Sequence, residues 1–272
     1  MPGPLLTREL HAGLRQVLHN GGRQLECSLD LGRTRTTVTV NVAGWQCDAG
    51  RYPWWEACKQ RTIYHWTGDG FAPVSRFAAS LIKLVPTQWG APTFEIDGIK
   101  MLPTARISPY EDARCKVELV GVRGRNVLDT CGGLGYFAAW CLELGAAEVL
   151  SCEKNPDVLW LRSLNPWSPP ASGGLTLLLA DITAHIATLP DAWADAILHD
   201  PPRFGIAGEL YSQSFYGQLF RVLRRGGRLF HYTGAPNRLT SGRDLPREVV
   251  RRLQTAGFAA KPAADGVLAS KQ

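Results

Sequence analysis

The chain has 272 residues, 45% of them hydrophobic and 20% charged, with a net charge of +6 and a pI near 9.0. That length holds one large domain, or one domain with a smaller companion. No apolar run approaches the roughly 18 residues that span a bilayer, which argues against a membrane protein. The stretch Met1 to Gly22 contains Arg, Glu and His and lacks an apolar signal core, so we expect no export and a cytoplasmic location. Seven cysteines lie scattered from Cys27 to Cys152 without a C-x-x-C pair, and the six histidines show no ligand spacing. We therefore expect reduced thiols and no metal site.

From about Gln24 to Gly98 the pattern is that of strands. Leu25 to Val42 alternates over Thr36-Thr-Val-Thr-Val-Asn-Val, the period of a half-buried strand. Shorter runs follow at Thr62 to Trp66 and Thr93 to Ile99, broken by Gly and Pro. Trp45, Trp54, Trp55, Trp66 and Trp89 fall in this segment. Such a cluster serves either as a stacking platform for bases or as the core of a small β-rich module, and the second use is the commoner.

From about Ser108 strands and helices alternate, which predicts a parallel α/β sheet. Glu111 to Val122 reads as a lead-in helix. Strands follow at Asn126 to Asp129, Glu148 to Glu153, Leu175 to Asp181, Ala194 to Asp200 and Arg228 to Tyr232. Helices are expected at Gly135 to Gly145, Pro156 to Asn165 and Tyr211 to Arg225, the last stopped by Gly226-Gly227, with a final one at Leu245 to Ala256. The tail from Phe258 suits a closing hairpin.

The first of these strands runs into a glycine turn, Asp129-Thr-Cys-Gly-Gly-Leu-Gly135. Such a turn lets the backbone approach a ligand and aims helix N–H groups at it. Gly133-Leu-Gly135-Tyr-Phe-Ala138 also matches the dinucleotide fingerprint G-x-G-x-x-A, and Glu153 stands where a ribose-binding acid belongs. A nicotinamide dehydrogenase shares these features. Two acids point instead to S-adenosylmethionine. Asp129 suits the methionine amine and would repel a pyrophosphate, and Asp181 is placed to accept from an adenine amine. A helix N-cap is the other reading of Asp181. The cofactor set is completed by Cys131, read as a small side chain packed under the ligand, and by Lys154 and Ile182, next to Glu153 and Asp181.

The strand Ala194-Asp-Ala-Ile-Leu-His199 leads into Asp200-Pro201-Pro202-Arg203-Phe204 at the carboxyl edge, where open α/β sheets bind ligands. An exocyclic base amine is a poor nucleophile because its lone pair is delocalised. Two acceptors, the Asp200 carboxylate and the Pro201 carbonyl, favour a more tetrahedral nitrogen, so that positioning and electrostatics promote attack on a sulfonium methyl. Pro202 stiffens the loop. Enzymes of this amino-directed kind usually carry an aromatic residue after the second proline. Here Arg203 holds that place and Phe204 follows, so either stacks on the base or the target is not a base. Thiolate chemistry at a pyrimidine carbon is disfavoured, because no Cys follows Cys152. His199 and His231 suit the core or a pocket lining, with Tyr232 as a further wall.

Arginines crowd the C-terminal third: Arg221, Arg224, Arg225, Arg228, Arg238, Arg243, Arg247, Arg251 and Arg252. They suit a phosphate-facing surface, and equally well solvated helix faces.

The chain resembles the predicted class I methyltransferases, best known from archaea, that carry His-Asp-Pro-Pro-Arg. The matching pieces are Ser28-Leu-Asp-Leu-Gly-Arg-Thr-Arg35, Pro92-Thr-Phe-Glu-Ile-Asp-Gly-Ile-Lys100, Leu128-Asp-Thr-Cys-Gly-Gly-Leu-Gly135, Leu164-Asn-Pro-Trp167, Leu198-His-Asp-Pro-Pro-Arg203 and Leu229-Phe-His-Tyr-Thr-Gly234. The resemblance implies a Rossmann-like class I methyltransferase fold, with a seven-stranded, mostly parallel sheet at 106–272 and a small N-terminal β-rich module at 1–105. It implies S-adenosylmethionine near Asp129, Glu153 and Asp181. It also implies methylation of a base amine in structured RNA, with a ribosomal RNA cytosine favoured. The fold is shared with aminopropyltransferases, so transfer to a small amine such as a polyamine is the alternative.

Overall fold

The computed structural model describes residues 3–234 and 244–272. Arg238 and Arg243 lie outside the described residues. Two compact units are present, residues 3–110 with Trp160–Trp167, and Glu111–Leu159 with Ser168–Gln272.

After a two-residue strand, Leu5–Leu6, the first unit continues with a helix that the sequence reading missed, Arg8–His19. Thr7 caps it, its hydroxyl accepting from the Leu10 N–H at 3.3 Å. Leu10, Leu14, Val17 and Leu18 recur at helical spacing and turn one apolar stripe inward. The rest of this unit is antiparallel. Gln24–Cys27, Thr36–Asn41, Gly44–Cys47 and Gly50–Pro53 pair in chain order as a four-stranded meander. Val38 and Val40 point into the core and their threonine neighbours outward, as period-two alternation requires. Two further small sheets use strands within 5–100. Trp45 is fully buried and stacks on Tyr52 with centroids 4.4 Å apart, and Trp66 meets the same ring edge-on at 5.2 Å. These tryptophans are core, and Trp55 packs against them. Trp89 alone of the five is substantially exposed while bonded through its indole N–H, to the Thr104 carbonyl.

In the second unit, α1 (Pro109–Val120) leads to β1 (Asn126–Asp129), α2 (Tyr136–Glu143), β2 (Glu148–Glu153), α3 (Pro156–Leu164) and β3 (Leu175–Leu179). Then come α4 (Ile182–His185), β4 (Ala194–His199), α5 (Gln213–Val222), β5 (Leu223–Tyr232), α6 (Leu245–Thr255), β6 (Ala259–Ala263) and β7 (Gly266–Ser270). The sheet order is β3-β2-β1-β4-β5-β7-β6, parallel except for β7, which runs antiparallel to β5 and β6. This is the Rossmann-like class I methyltransferase fold, with β-rich sheets N-terminal to it. The central strands are apolar on both faces, as a parallel sheet covered by helices demands. Val127, Leu128, Ile197 and Leu198 are completely buried.

One expected boundary is wrong. Gly226-Gly227 does not stop a helix. Helix α5 ends at Val222, and β5 begins at Leu223 and carries both glycines. The pairing of β4 with β5 jumps from Ala194↔Leu223 to Ala196↔Arg228, so the pair forms an irregularity inside the strand. Gly226 has φ 76°, a conformation that favours glycine, and donates to the Lys271 carbonyl at 2.7 Å.

The β6–β7 turn is locked to the end of β5, since Thr233 and Gly234 N–H both donate to the Asp265 carbonyl. At Gly266 an added Cβ would meet the His231 carbonyl oxygen and come within 2.9 Å of the Phe230 ring. Gly266→Ala is therefore expected to cost about 2–3 kcal/mol by forcing β7 away from β5. Urea unfolding of the variant checks this, and a loss under 0.5 kcal/mol would contradict the packing described.

Candidate active site

Three parallel strands end in acids along one edge of the sheet. Asp129 closes β1 and is completely buried, its Oδ2 accepting from the Ser151 hydroxyl at 2.8 Å. Glu153 closes β2, and its carboxylate accepts from the Gly133 N–H at 3.0 Å and the Asn155 N–H at 2.8 Å. That pair of bonds ties the acid to the glycine turn, where Gly133 (φ 50°) and Gly135 (φ 80°) take left-handed conformations. Asp181 follows β3. It caps α4, its Oδ1 accepting from the Thr183 N–H at 2.9 Å, while Lys154 Nζ stands 3.9 Å from its other oxygen. The capping role of Asp181 is thus present. Ile182 is buried in the core cluster. Cys131 sits inside the turn, partly buried against the core cluster, and burial pushes its thiol well above the usual range.

The Asp200–Phe204 loop leaves the end of β4. Asp200 is half-buried, Pro201 is buried, and Arg203 and Phe204 are exposed. Tyr211, which is almost fully buried, donates from its hydroxyl to the Pro202 carbonyl at 3.0 Å, and its ring meets Phe204 edge-on at 5.4 Å. Arg252 in turn holds the Tyr211 carbonyl at 2.7 Å. Among the described residues nothing donates to the Pro201 carbonyl. The loop is thereby pinned one residue beyond the acceptor. Tyr211→Phe should cost about 1 kcal/mol of stability by leaving the Pro202 carbonyl unbonded, and thermal unfolding with intact secondary structure would show it.

Asp200 faces a charged cluster that sequence reading did not foresee. Lys116 of α1 is only 2% exposed. Its Nζ lies 2.6 Å from Asp112 Oδ2 and 3.3 Å from Asp265 Oδ2, and 4.2 Å from the centre of the Tyr232 ring. Burial alone would lower its pKa, but Asp200, Asp112 and Asp265 more than reverse that and hold it raised. Asp200 itself is pushed up to about 7, chiefly by burial, with Lys116 opposing and Asp112, Asp265 and Asp129 adding to the rise. Tyr232 is pushed up to about 12 by burial and by Asp200. The i, i+4 pair Asp112/Lys116 looks like an ordinary surface pair in the sequence, and Asp265 like an ordinary turn residue. Only the sheet brings them together.

The two histidines are core groups. His199 bridges the Thr130 hydroxyl (2.7 Å) and the Leu210 carbonyl (3.1 Å), and His231 bridges the Tyr216 hydroxyl (2.9 Å) and the Tyr232 carbonyl (2.8 Å). Burial lowers both, His231 to about 4, so both stay neutral. Several C-terminal arginines also serve the fold. Arg221 binds the Leu189 and Ile186 carbonyls, and Arg224 pairs with Asp195, each at 2.7 Å. Arg225, Arg247 and Arg251 are exposed. No group of three or more His, Cys, Asp or Glu suited to a metal occurs among the described residues, and no helix there is long and apolar enough to cross a membrane.

No protein-family model matches the chain. An uncharacterized protein of Methanocaldococcus jannaschii is 48% identical over 178 residues, or 65% of this chain and 61% of that protein. The chain thus spans about three-fifths of the length of that curated relative. Among solved structures, a spermidine synthase in complex with the transition-state analogue AdoDATO has a TM-score of 0.58 at 16% identity, over 73% of each chain. The spermidine synthase of Thermotoga maritima follows with a TM-score of 0.55 at 16% identity, over 73% of this chain and 72% of that one. At such identity the likeness concerns the fold, a Rossmann-like fold that class I methyltransferases and aminopropyltransferases have in common.

Proposed function

We propose that this protein transfers a methyl group from S-adenosylmethionine to an exocyclic amine of a base in structured RNA, with a ribosomal RNA cytosine as the favoured target. The observation that carries this reading is the pair of acceptors at the end of β4, the Asp200 carboxylate and a Pro201 carbonyl to which no described group donates. The cofactor suits the donor set. A row of carboxylates at Asp129, Glu153 and Asp181 favours an amine, ribose hydroxyls and an adenine amine, and disfavours a pyrophosphate. When bound, the cofactor supplies a methyl group on a positively charged sulfur.

The chain's own residues do the rest. Gly133 and Gly135 let the backbone come close to the ligand, with Cys131 and Ile182 packed beneath and Lys154 held near Asp181. Asp200 and Pro201 accept the two amine hydrogens and turn the nitrogen lone pair out of conjugation. Pro202, fixed by Tyr211, keeps that carbonyl aimed. Phe204, exposed beside Tyr211, is the stacking surface for the base, and Arg203 adds a guanidinium plane or a phosphate contact. The N-terminal module and the exposed Arg225, Arg247 and Arg251 would add phosphate contacts.

A second reading is aminopropyl transfer to a small amine; the two structural relatives are named spermidine synthases. The carboxylates of Asp112, Asp200 and Asp265 gathered around Lys116 favour it. Mass spectrometry of nucleosides from total RNA, with and without the gene, decides between them. Loss of one methylated base, restored by the wild type and not by Asp200→Ala, supports the RNA reading. An unchanged RNA profile with altered polyamine pools supports the second.

A further inference from the structure

We propose that Lys116 is a built-in counter-ion that occupies the cation position of the amine pocket and restricts its substrates to uncharged amines. The inference rests on the reading that Asp200 receives the acceptor amine, and it names the class of amine.

A pocket for an alkylammonium needs carboxylates, an aromatic face and no competing cation. All but the last are here. Asp112 and Asp265 converge from α1 and the β6–β7 turn, and Tyr232 offers its ring from the end of β5. The cation is already in place and belongs to the protein. Lys116 Nζ touches both carboxylates and lies over the ring, and its side chain is almost completely excluded from water. An incoming diamine or triamine would have to displace a buried ammonium from two partners, and would also meet its repulsion. A base amine carries no charge and asks only for acceptors, which Asp200 and Pro201 supply. Lys116 also lies close enough to Asp200 to favour its ionised, accepting form. The other groups facing Asp200 act against ionisation: Asp112 on α1, Asp265 in the turn and Asp129 on β1. Tyr211 and Tyr232 stay protonated beside it. Lys116 is therefore a positioning and specificity residue acting through Asp200.

The test is calorimetric titration of spermidine into the full chain at pH 8, as wild type, Lys116→Arg and Lys116→Met, with methyl transfer to RNA followed across pH in parallel. The wild type and Lys116→Arg should bind spermidine weakly and alike, and Lys116→Met at least about tenfold more tightly, because its carboxylates are left without a cation. The acidic limb of transfer should move up by about one pH unit in Lys116→Met and stay in place in Lys116→Arg. A purely structural lysine would lower transfer at every pH and leave the limb where it is. If Lys116→Met does not fold, Lys116→Met with Asp112→Asn removes the charge together with its closest partner, and a smaller gain over wild type is expected, because Asp200 and Asp265 still lack a cation. Equal spermidine binding by wild type and variants overturns the inference and leaves the RNA reading standing. Absence of RNA methylation by the wild type, with the expected gain in binding, overturns the RNA reading and leaves the counter-ion standing. Transfer to spermidine by the wild type sinks both.

Discussion

Asp200→Asn is expected to be more stable than the wild type at pH 8 and to lose most of the proposed transferase activity. The carboxyl is pushed up to about 7 in the folded protein, from an ordinary value of 3.8, first of all by burial. A group that holds its proton more tightly when folded stabilises the fold at low pH and destabilises it once ionised. Stability should accordingly fall as pH rises from about 4 to 7 and then level off. With three pKa units at 1.36 kcal/mol each, the ceiling on that loss is about 4 kcal/mol. Asparagine has no charge to desolvate, and Lys116 keeps Asp112 and Asp265 as partners. A gain on the order of 2 kcal/mol at pH 8, shrinking to nothing near pH 4, is the expectation. Melting temperatures across that range give the comparison, and a variant less stable at pH 8 than the wild type would refute the burial argument. Activity moves the other way. The amide keeps one oxygen that can accept an amine hydrogen but loses the negative charge that strengthens that bond, and a drop of about 100-fold in kcat follows. In the wild type kcat/KM should rise with pH through about 7, and the variant's residual activity should lack that limb.

Lys116→Met is expected to be among the most damaging single changes in the second unit. The methionine fills the space, but Asp112, Asp200 and Asp265 then face one another without the ammonium. Removing one partner of a buried ionic network costs about 3–5 kcal/mol. The cost should shrink as pH falls through about 7, where Asp200 takes up its proton, so urea unfolding at pH 8 and pH 4.5 separates this cause from simple packing. A cost below about 1 kcal/mol at pH 8, the size of an exposed pair, would mean that water reaches the cluster. The two substitutions act on one network with opposite sign. The double variant should fall short of the sum of its parts, since Asp200→Asn removes one of the carboxylates that Lys116→Met exposes.

Much of the fold was legible because its signals are local. The strands Asn126–Asp129 and Glu148–Glu153 have the bounds expected from their sequence, for a buried parallel strand announces itself as an apolar run ending in a turn. The glycine turn and Asp-Pro-Pro are equally local, since backbone conformation at Gly and Pro is set by the residue itself. The helix Arg8–His19 was legible and overlooked. Its stripe of Leu10, Leu14, Val17 and Leu18 was there, obscured by the glycine and charges around it. Gly226-Gly227 misled for a different reason. A glycine pair after a helical run ends a helix as readily as it bends a strand, and the choice was made by the pairing of β5 with β4 and with the C-terminal tail.

Local signals in the sequence therefore carry the sheet, the acids at the strand ends and the Asp200–Pro201 pair that follows β4. Three things were decided only by the tertiary structure: the surroundings of that pair, the Tyr211 bond that pins the loop, and the burial of His199 and His231 as neutral core groups. The same holds for the convergence of Asp112, Lys116 and Asp265 from a helix and a hairpin 149 residues apart. The reason is physical. A residue's backbone preferences travel with its own side chain, whereas its charge state depends on which distant groups share its low-dielectric surroundings.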